Sequence, residues 1–292
     1  MSSLTHLDHV VVAVKEIDGA LGRYARLLGR RPSWRGEHPG AGTENVLFRL
    51  SNTYLELLAP AGTGPVGDAL RARLASHAEG PVALAFRTDD AQACHTELRA
   101  RGLEAGEPEE GVGRDVESGA YRRWRRVPLP PHDTRGVLLF AIEHLSPEAL
   151  LPLAPPLGEE RAAVDALDHV VVRSGDPDAS RALYGEEGLG IRLALDREFP
   201  KWGARMLFFR LGDTTIEVVS ALEAEAPAPP ADRDELWGLA FRVPDASAAH
   251  ARLMDSGLAV SEVRDGRKAG TRVFTVKESG PPILMLEAAG PG

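Results

Sequence analysis

The sequence predicts an α+β protein built from four βαβββ modules in two pairs. Three observations predict it. The stretch Leu7-Asp8-His9-Val10-Val11-Val12 recurs unchanged as Leu167-Asp168-His169-Val170-Val171-Val172, 160 residues later in a chain of 292. The match continues piece by piece: Leu47-Phe48-Arg49-Leu50 answers Phe208-Phe209-Arg210-Leu211, and Glu56 answers Glu217. Within each half a second unit of the same plan follows, Leu84-Ala85-Phe86-Arg87 answering Leu239-Ala240-Phe241-Arg242. A repeat this long is a duplicated domain and not a solenoid period.

The elements follow in order. Leu7–Val14 is dense in Val and free of Pro and Gly, which reads as a strand. Alternation places Leu7, His9, Val11 and Ala13 on one face and Asp8, Val10, Val12 and Val14 on the other. Residues 18–28 carry apolar side chains at helical spacing and stop at Gly29. A polar, Gly-rich connection, 37–45, leads to strands 46–50 and 54–58, joined by a turn short enough for a hairpin. A connector (59–80) with a short helix at 68–76 precedes the second module. That module has a strand at 82–87, a helix at 89–101 stopped by Gly102, and strands around Trp124 and at 137–143. Residues 1–145 thus form the first domain (modules 5–60 and 80–145), and Pro-rich 146–164 the linker. Residues 165–290 form the second domain (modules 165–220 and 235–290), with a Pro/Ala/Glu-rich connector at 223–233.

Composition excludes several classes. The chain is 43% hydrophobic and 26% charged, and no apolar run reaches bilayer length. No basic-then-apolar leader opens it, which favours a cytoplasmic location. A single cysteine, Cys94, forbids an internal disulfide or a Cys-rich metal site. A net charge of −9 argues against nucleic acid as the partner. No nucleotide, flavin, nucleophile-elbow or zinc-protease motif occurs.

The chemistry-bearing residues sit on strands. Glu56, Glu143, Glu217 and Glu287 each interrupt an apolar strand at the end of a module. A carboxylate removed from water costs several kcal/mol, as an order of magnitude, unless a cation, a proton or donors compensate it. With His9 or His169 on the first strand of the same sheet, a divalent ion is an economical compensation; each glutamate can equally face solvent. Residues 38–45 and 199–203 occupy corresponding positions, and His38, Glu44, Asn45, Lys201 and Trp202 are candidate substrate contacts, alongside ordinary turn chemistry. Trp124 sits within Arg122-Arg123-Trp124-Arg125-Arg126. It is a candidate substrate contact, while the arginines read more simply as a solvated edge strand than as an anion trap.

These residues, with the module repeat, resemble the vicinal oxygen chelate superfamily of glyoxalase I, extradiol dioxygenases, and fosfomycin- and bleomycin-resistance proteins. The first half is most similar to its glyoxalase-like domain group, through His38-Pro39-Gly40, Gly42-Thr43-Glu44-Asn45 and Tyr54-Leu55-Glu56-Leu57-Leu58. The resemblance implies that each pair of modules folds as a cupped mixed β-sheet with its helices outside, with metal ligands His9, Glu56 and Glu143 in one half and His169, Glu217 and Glu287 in the other. Mn, Ni, Zn, Fe or Mg would be the ion. The position of a second histidine in many members falls on Ala83 and Gly238, which have no side-chain donor. The expected function is metal-dependent lyase, isomerase or epimerase chemistry on a small oxygenated molecule through a chelated enolate or alkoxide. Glu56 or Glu143 would move the proton. The alternative is a metal-free ligand-sequestering protein, with ring-cleaving dioxygenase activity behind both. A monomer or homodimer is expected, with no membrane partner.

Overall fold

A computed structural model of the chain describes residues 3–223, 229–277 and 282–288. Part of the 223–233 connector and the last residues assigned to the second domain lie outside the described residues. The first half runs β1 (His6–Ala13), α1 (Ile17–Leu28), β2 (Trp34–His38), β3 (Thr43–Arg49), β4 (Tyr54–Pro60), α2 (Pro65–Ser76), β5 (Gly80–Arg87), α3 (Ala91–Ala100), β6 (Glu109–Asp115), β7 (Tyr121–Pro128) and β8 (Leu138–His144). The second runs β9 (Ala166–Ser174), α4 (Pro177–Tyr184), β10 (Arg192–Phe199), β11 (Ala204–Leu211), β12 (Thr214–Ala221), β13 (Asp234–Arg242), α5 (Ala246–Asp255), β14 (Arg264–Asp265), β15 (Arg272–Val276) and β16 (Ile283–Glu287).

Each module places its first strand parallel to its last, β1 beside β4 and β5 beside β8, and the two modules of a half join where β1 runs antiparallel to β5. The halves then differ. In the first, β2 pairs with β6 through Gly36↔Asp115 and Glu37↔Arg114, closing an eight-stranded barrel in the order β1-β4-β3-β2-β6-β7-β8-β5. In the second, β14 spans only two residues and the sheet stays open, with β10 and β14 at its edges. A barrel has no unpaired edge, so the first half gains a lumen shielded on all sides.

The connection expected at 37–45 is instead two strands and a tight turn, and β7 is an interior strand between β6 and β8, not an edge. β1 also departs from simple alternation. Its pairing with β5 slips between Leu7↔Phe86 and His9↔Ala85, leaving Asp8 as the extra residue of a bulge. The bulge turns Asp8 toward the lumen beside His9, while Leu7 joins Val10 and Val12 in the apolar core beneath the helices. β9 repeats the slip at Asp168.

The two halves share one apolar core, which runs from Leu4 through Leu28, Val164 and Leu253 to Met285. The linker is held to the first half: Arg31 and Ala154 donate backbone hydrogen bonds to Pro155 and Arg49 (2.8 and 2.9 Å). Leu151 packs against Trp34, Leu47 and Tyr54 at one end of the barrel. The Asn52 amide bonds both backbone groups of Leu167, accepting at 3.0 Å and donating at 2.8 Å. Among the described residues no helix is long and apolar enough to cross a membrane.

Candidate active site

His9 and Glu56 point into the first barrel from the adjacent strands β1 and β4. His9 is 3% exposed and its Nε2 lies 3.5 Å from Glu56 Oε2. Its Nδ1–H donates to Asp8 Oδ1 at 2.7 Å, which fixes the ring and leaves Nε2 facing the glutamate. Asp8 also accepts from His144 Nε2 at 2.9 Å. Burial pushes the Asp8 carboxyl up, but hydrogen bonds from His144 and His9 outweigh it and hold the group well below the ordinary carboxylate range. Tyr54 stacks on the His9 ring, with centroids 4.4 Å apart, and Phe140 meets that ring edge-on. Burial, then the Asp8 charge, push the Tyr54 phenol well up, so it remains neutral.

A second imidazole approaches Glu56 from β2. His38 Nδ1 and Thr43 Oγ1 are hydrogen-bonded at 2.8 Å, and the Asn45 amide, a donor, sets Nε2 as the acceptor. The Asn45 amide nitrogen fills both acceptors, donating to Glu56 Oε1 at 2.7 Å and to His38 Nε2 at 3.2 Å. His38 Nε2 is 3.9 Å from the same glutamate oxygen. Burial lowers the His38 pKa, with Glu56 opposing and Arg122 adding to the effect. Trp124 closes the group, edge-on to His38 at 5.7 Å. Two glycines make room for the indoles that fill the lumen: a Cβ at Gly36 would lie 2.3 Å from Trp34 Nε1, and one at Gly111 2.2 Å from Trp124 Nε1. Cavities of about 330 Å³ and about 320 Å³ open against this cluster, the first lined by Asp8, Tyr54, Arg49 and Arg87, the second by His38, Thr43 and Glu44.

The structure brings together His9, His38, Asn45, Glu56 and Trp124 of the expected set, and adds Asp8, Tyr54 and His144. It does not bring Glu143 in. That carboxylate lies on the outer face of β8 and accepts the backbone N–H of Ala91 at the start of α3 (3.1 Å). Glu287 does the same for Ala246 at the start of α5 (2.7 Å). Both act as helix caps, a place that anionic side chains favour electrostatically. Glu44 neighbours Val46 on β3 but alternates away from Asn45, so it borders the second cavity without entering the lumen. In the second half, Asp168, His169 and Glu217 keep the geometry of Asp8, His9 and Glu56 (2.8 and 3.5 Å). The strand registers set Thr215 where Tyr54 stands, Met206 where Asn45 stands and Phe199 where His38 stands. The second pair thus lacks the polar surroundings of the first. Lys201 is exposed, and Trp202 stacks on Phe199 (4.9 Å) beneath the Arg267 guanidinium (3.8 Å) at the open edge.

This donor set does not fit the divalent centre expected from the sequence. Glu143 and Glu287 are turned to helices, Ala83 and Gly238 offer no side-chain donor, and the Asn45 amide already occupies Glu56 Oε1 and His38 Nε2. Among the described residues no group of three or more His, Cys, Asp and Glu side chains is placed to hold a metal ion.

The glyoxalase-like domain family matches residues 7–159. The chain belongs to this family. Residues 168–275 match the glyoxalase/bleomycin resistance protein/dioxygenase superfamily, so both glyoxalase-like halves carry the fold, as the resemblance implied. The ethylmalonyl-CoA/methylmalonyl-CoA epimerase of Cereibacter sphaeroides is 31% identical over 110 residues, 36% of this chain and 80% of that protein. The human mitochondrial methylmalonyl-CoA epimerase is 28% identical over 138 residues, 47% of this chain and 73% of that protein. A triple mutant of 4-hydroxymandelate synthase from Streptomyces coelicolor superposes with a TM-score of 0.71 at 16% identity, covering 100% of this chain and 95% of its own. A hypothetical protein from Staphylococcus aureus does so at 0.64 and 11%, covering 97% and 99%. At such identities these two structures share the fold alone.

Proposed function

We propose that the first barrel of this glyoxalase-like protein catalyses epimerase- or isomerase-type proton transfer at a carbon next to a carbonyl in a small organic molecule. The observation that carries the reading is the buried Asp8–His9–Glu56 series, a carboxylate that orients an imidazole whose free nitrogen faces a second carboxylate. Glu56 takes the proton from carbon, and the electron pair of that C–H bond passes to the adjacent carbonyl oxygen. The proton returns from Glu56 or, through it, from His9 as the electron pair comes back. Asp8 positions His9 through the hydrogen bond at Nδ1. The Asn45 amide holds Glu56 in one orientation and Tyr54 holds the His9 ring. The closeness of Glu56 and His9 suits one shared shuttle, so the epimer forms when the planar enolate turns its other face to that pair before the proton returns.

The two epimerase relatives support the reading, since the molecules in their names carry an acidic carbon between two carbonyl groups. The retained His169–Glu217 pair is read as a structural relic, because Thr215, Met206 and Phe199 replace its partners. Sequestration of a large ligand is the weaker alternative, because Trp34, Trp124 and Arg122 would have to leave the lumen to admit one.

The test is hydrogen exchange in D₂O with malonate and malonyl thioesters, followed by proton NMR. Exchange at the central carbon that disappears in Glu56→Gln and falls in His9→Ala is the expected result. Exchange unaltered by both substitutions, or absent with every compound, overturns the proposal.

A further inference from the structure

Arg122 lies inside the barrel and takes no part in the chemistry just described. Alternation along β7 turns its neighbours Arg123 and Arg125 outward, where Arg125 approaches Glu110 and Glu143 at 3.7 and 3.8 Å. Arg126 pairs with Glu109 at 2.7 Å. Arg122 is 8% exposed. Among the described residues no carboxylate lies within ion-pair distance of it. Its guanidinium stands instead over two aromatic rings, Trp34 at 5.5 Å and Tyr54 at 5.8 Å. Ring faces attract a cation but supply no acceptor for its five N–H donors. Trp34 is itself a fixed platform, since Gly36 leaves no room between strand and indole. A buried cation without a counter-ion is unfavourable in the empty protein, and its persistence is explained when an anion completes it.

Tyr54 is shared between this guanidinium and the His9 ring, and the Arg122 charge reaches His38. An anion on Arg122 is therefore a near neighbour of the proton-transfer pair. We infer that Arg122 is the anion anchor of the first barrel, and that the substrate carries a small oxyanion group, carboxylate or phosphate, beside the carbon that Glu56 deprotonates. The planar fork of the guanidinium matches two oxygens of either group. The same contact disperses the negative charge that develops during proton removal. The inference rests on the proton-transfer reading for what lies beside the anion, not for the anion site itself.

The test is a titration of wild-type protein and of R122M, R122K and E56Q with malonate and, separately, with inorganic phosphate. Binding is read by calorimetry and tryptophan emission, with thermal unfolding in parallel. Saturable binding of at least one anion, weakened by salt, is expected for wild type. R122M should lose at least about tenfold in affinity, R122K less, and E56Q little. The melting temperature of R122M should not fall, because methionine suits an apolar pocket better than an unpaired cation. Which anion binds separates carboxylate from phosphate. Unchanged affinity in R122M, or no saturable binding of either anion to wild type, overturns the inference. So does a fall in R122M stability with anion affinity kept, which marks a structural arginine. Binding that depends on Arg122 without hydrogen exchange keeps the anchor and rejects the proton-transfer reading; exchange that survives R122M does the reverse.

Discussion

Asn45 and Glu56 are joined by a 2.7 Å hydrogen bond inside the barrel, and the same amide nitrogen reaches His38 at 3.2 Å. One side chain on β3 therefore sets the orientation of a base on β4 and an imidazole on β2. Asn45→Leu strips the buried Glu56 Oε1 of its donor. Loss of about 1–3 kcal/mol of stability is expected by urea unfolding, because the carboxylate is left unsatisfied. The same variant should slow hydrogen exchange, since the base is no longer held in one orientation.

The two glutamates of the first half separate by role. Glu56→Gln should reduce hydrogen exchange by about 10²–10⁴-fold, the range of a positioned proton-transfer group, while the fold survives. Glu143→Gln should leave exchange unchanged and cost about 1 kcal/mol of stability, since it weakens a cap on α3. Glu287→Gln repeats the second result at α5. Exchange kinetics beside thermal unfolding check all three, and a Glu143 variant that loses exchange would return that residue to the chemistry.

His38 makes the protein pH-sensitive in a defined window. Burial lowers its folded pKa below the ordinary 6.5, so the unfolded chain binds the proton more tightly. Its contribution to stability is complete above pH 6.5 and is lost as pH falls from there through the folded pKa. Protonation also turns the Nε2 acceptor of Asn45 into a donor. Urea midpoints measured across this window should fall with pH in wild type and fall less steeply in His38→Gln, the remaining slope coming from His6, which burial lowers in the same way.

Asp8 responds in the opposite part of the scale. Its folded pKa lies well below the usual carboxylate value, so its contribution is present above pH 3.8 and fades only as pH drops through the folded value. Asp8→Asn should remove this acid-sensitive portion of the unfolding profile. It should also slow hydrogen exchange strongly, because asparagine can hold His9 in the wrong tautomer.

Gly111 tests the packing of the lumen. Gly111→Ala places a methyl about 2.2 Å from the Trp124 indole nitrogen, and the indole must move. A cost of about 1–3 kcal/mol and a shifted tryptophan emission are expected.

The repeat of Leu7–Val12 at Leu167–Val172, the stops at Gly29 and Gly102, and the Val-rich strands were legible from residues alone. They state periodicity and backbone freedom, which are local properties. β2, β6 and β10 were not legible as strands, because they are short, charged or Gly-rich. β10 in particular buries little of itself and carries Arg192, Asp196, Arg197 and Glu198. Of the candidate site, His9, Glu56, His38, Asn45 and Trp124 could be named in advance. Glu143 and Glu287 could not be sorted from Glu56 and Glu217, since all four interrupt apolar strands in the same way. Tertiary structure decided them by which face met a helix N-terminus and which met the lumen. It also turned Asp8 inward through a bulge that alternation does not foresee, and it closed one sheet while leaving its duplicate open. Arg122 changed most: in the sequence it is one of four arginines around a tryptophan, and only strand order makes it the buried one. The sequence by itself therefore determined the modules, their duplication and the apolar faces, because these depend on neighbours along the chain. Which polar groups share an enclosed space depends on strand pairing across more than a hundred residues, and the folded barrel alone set that.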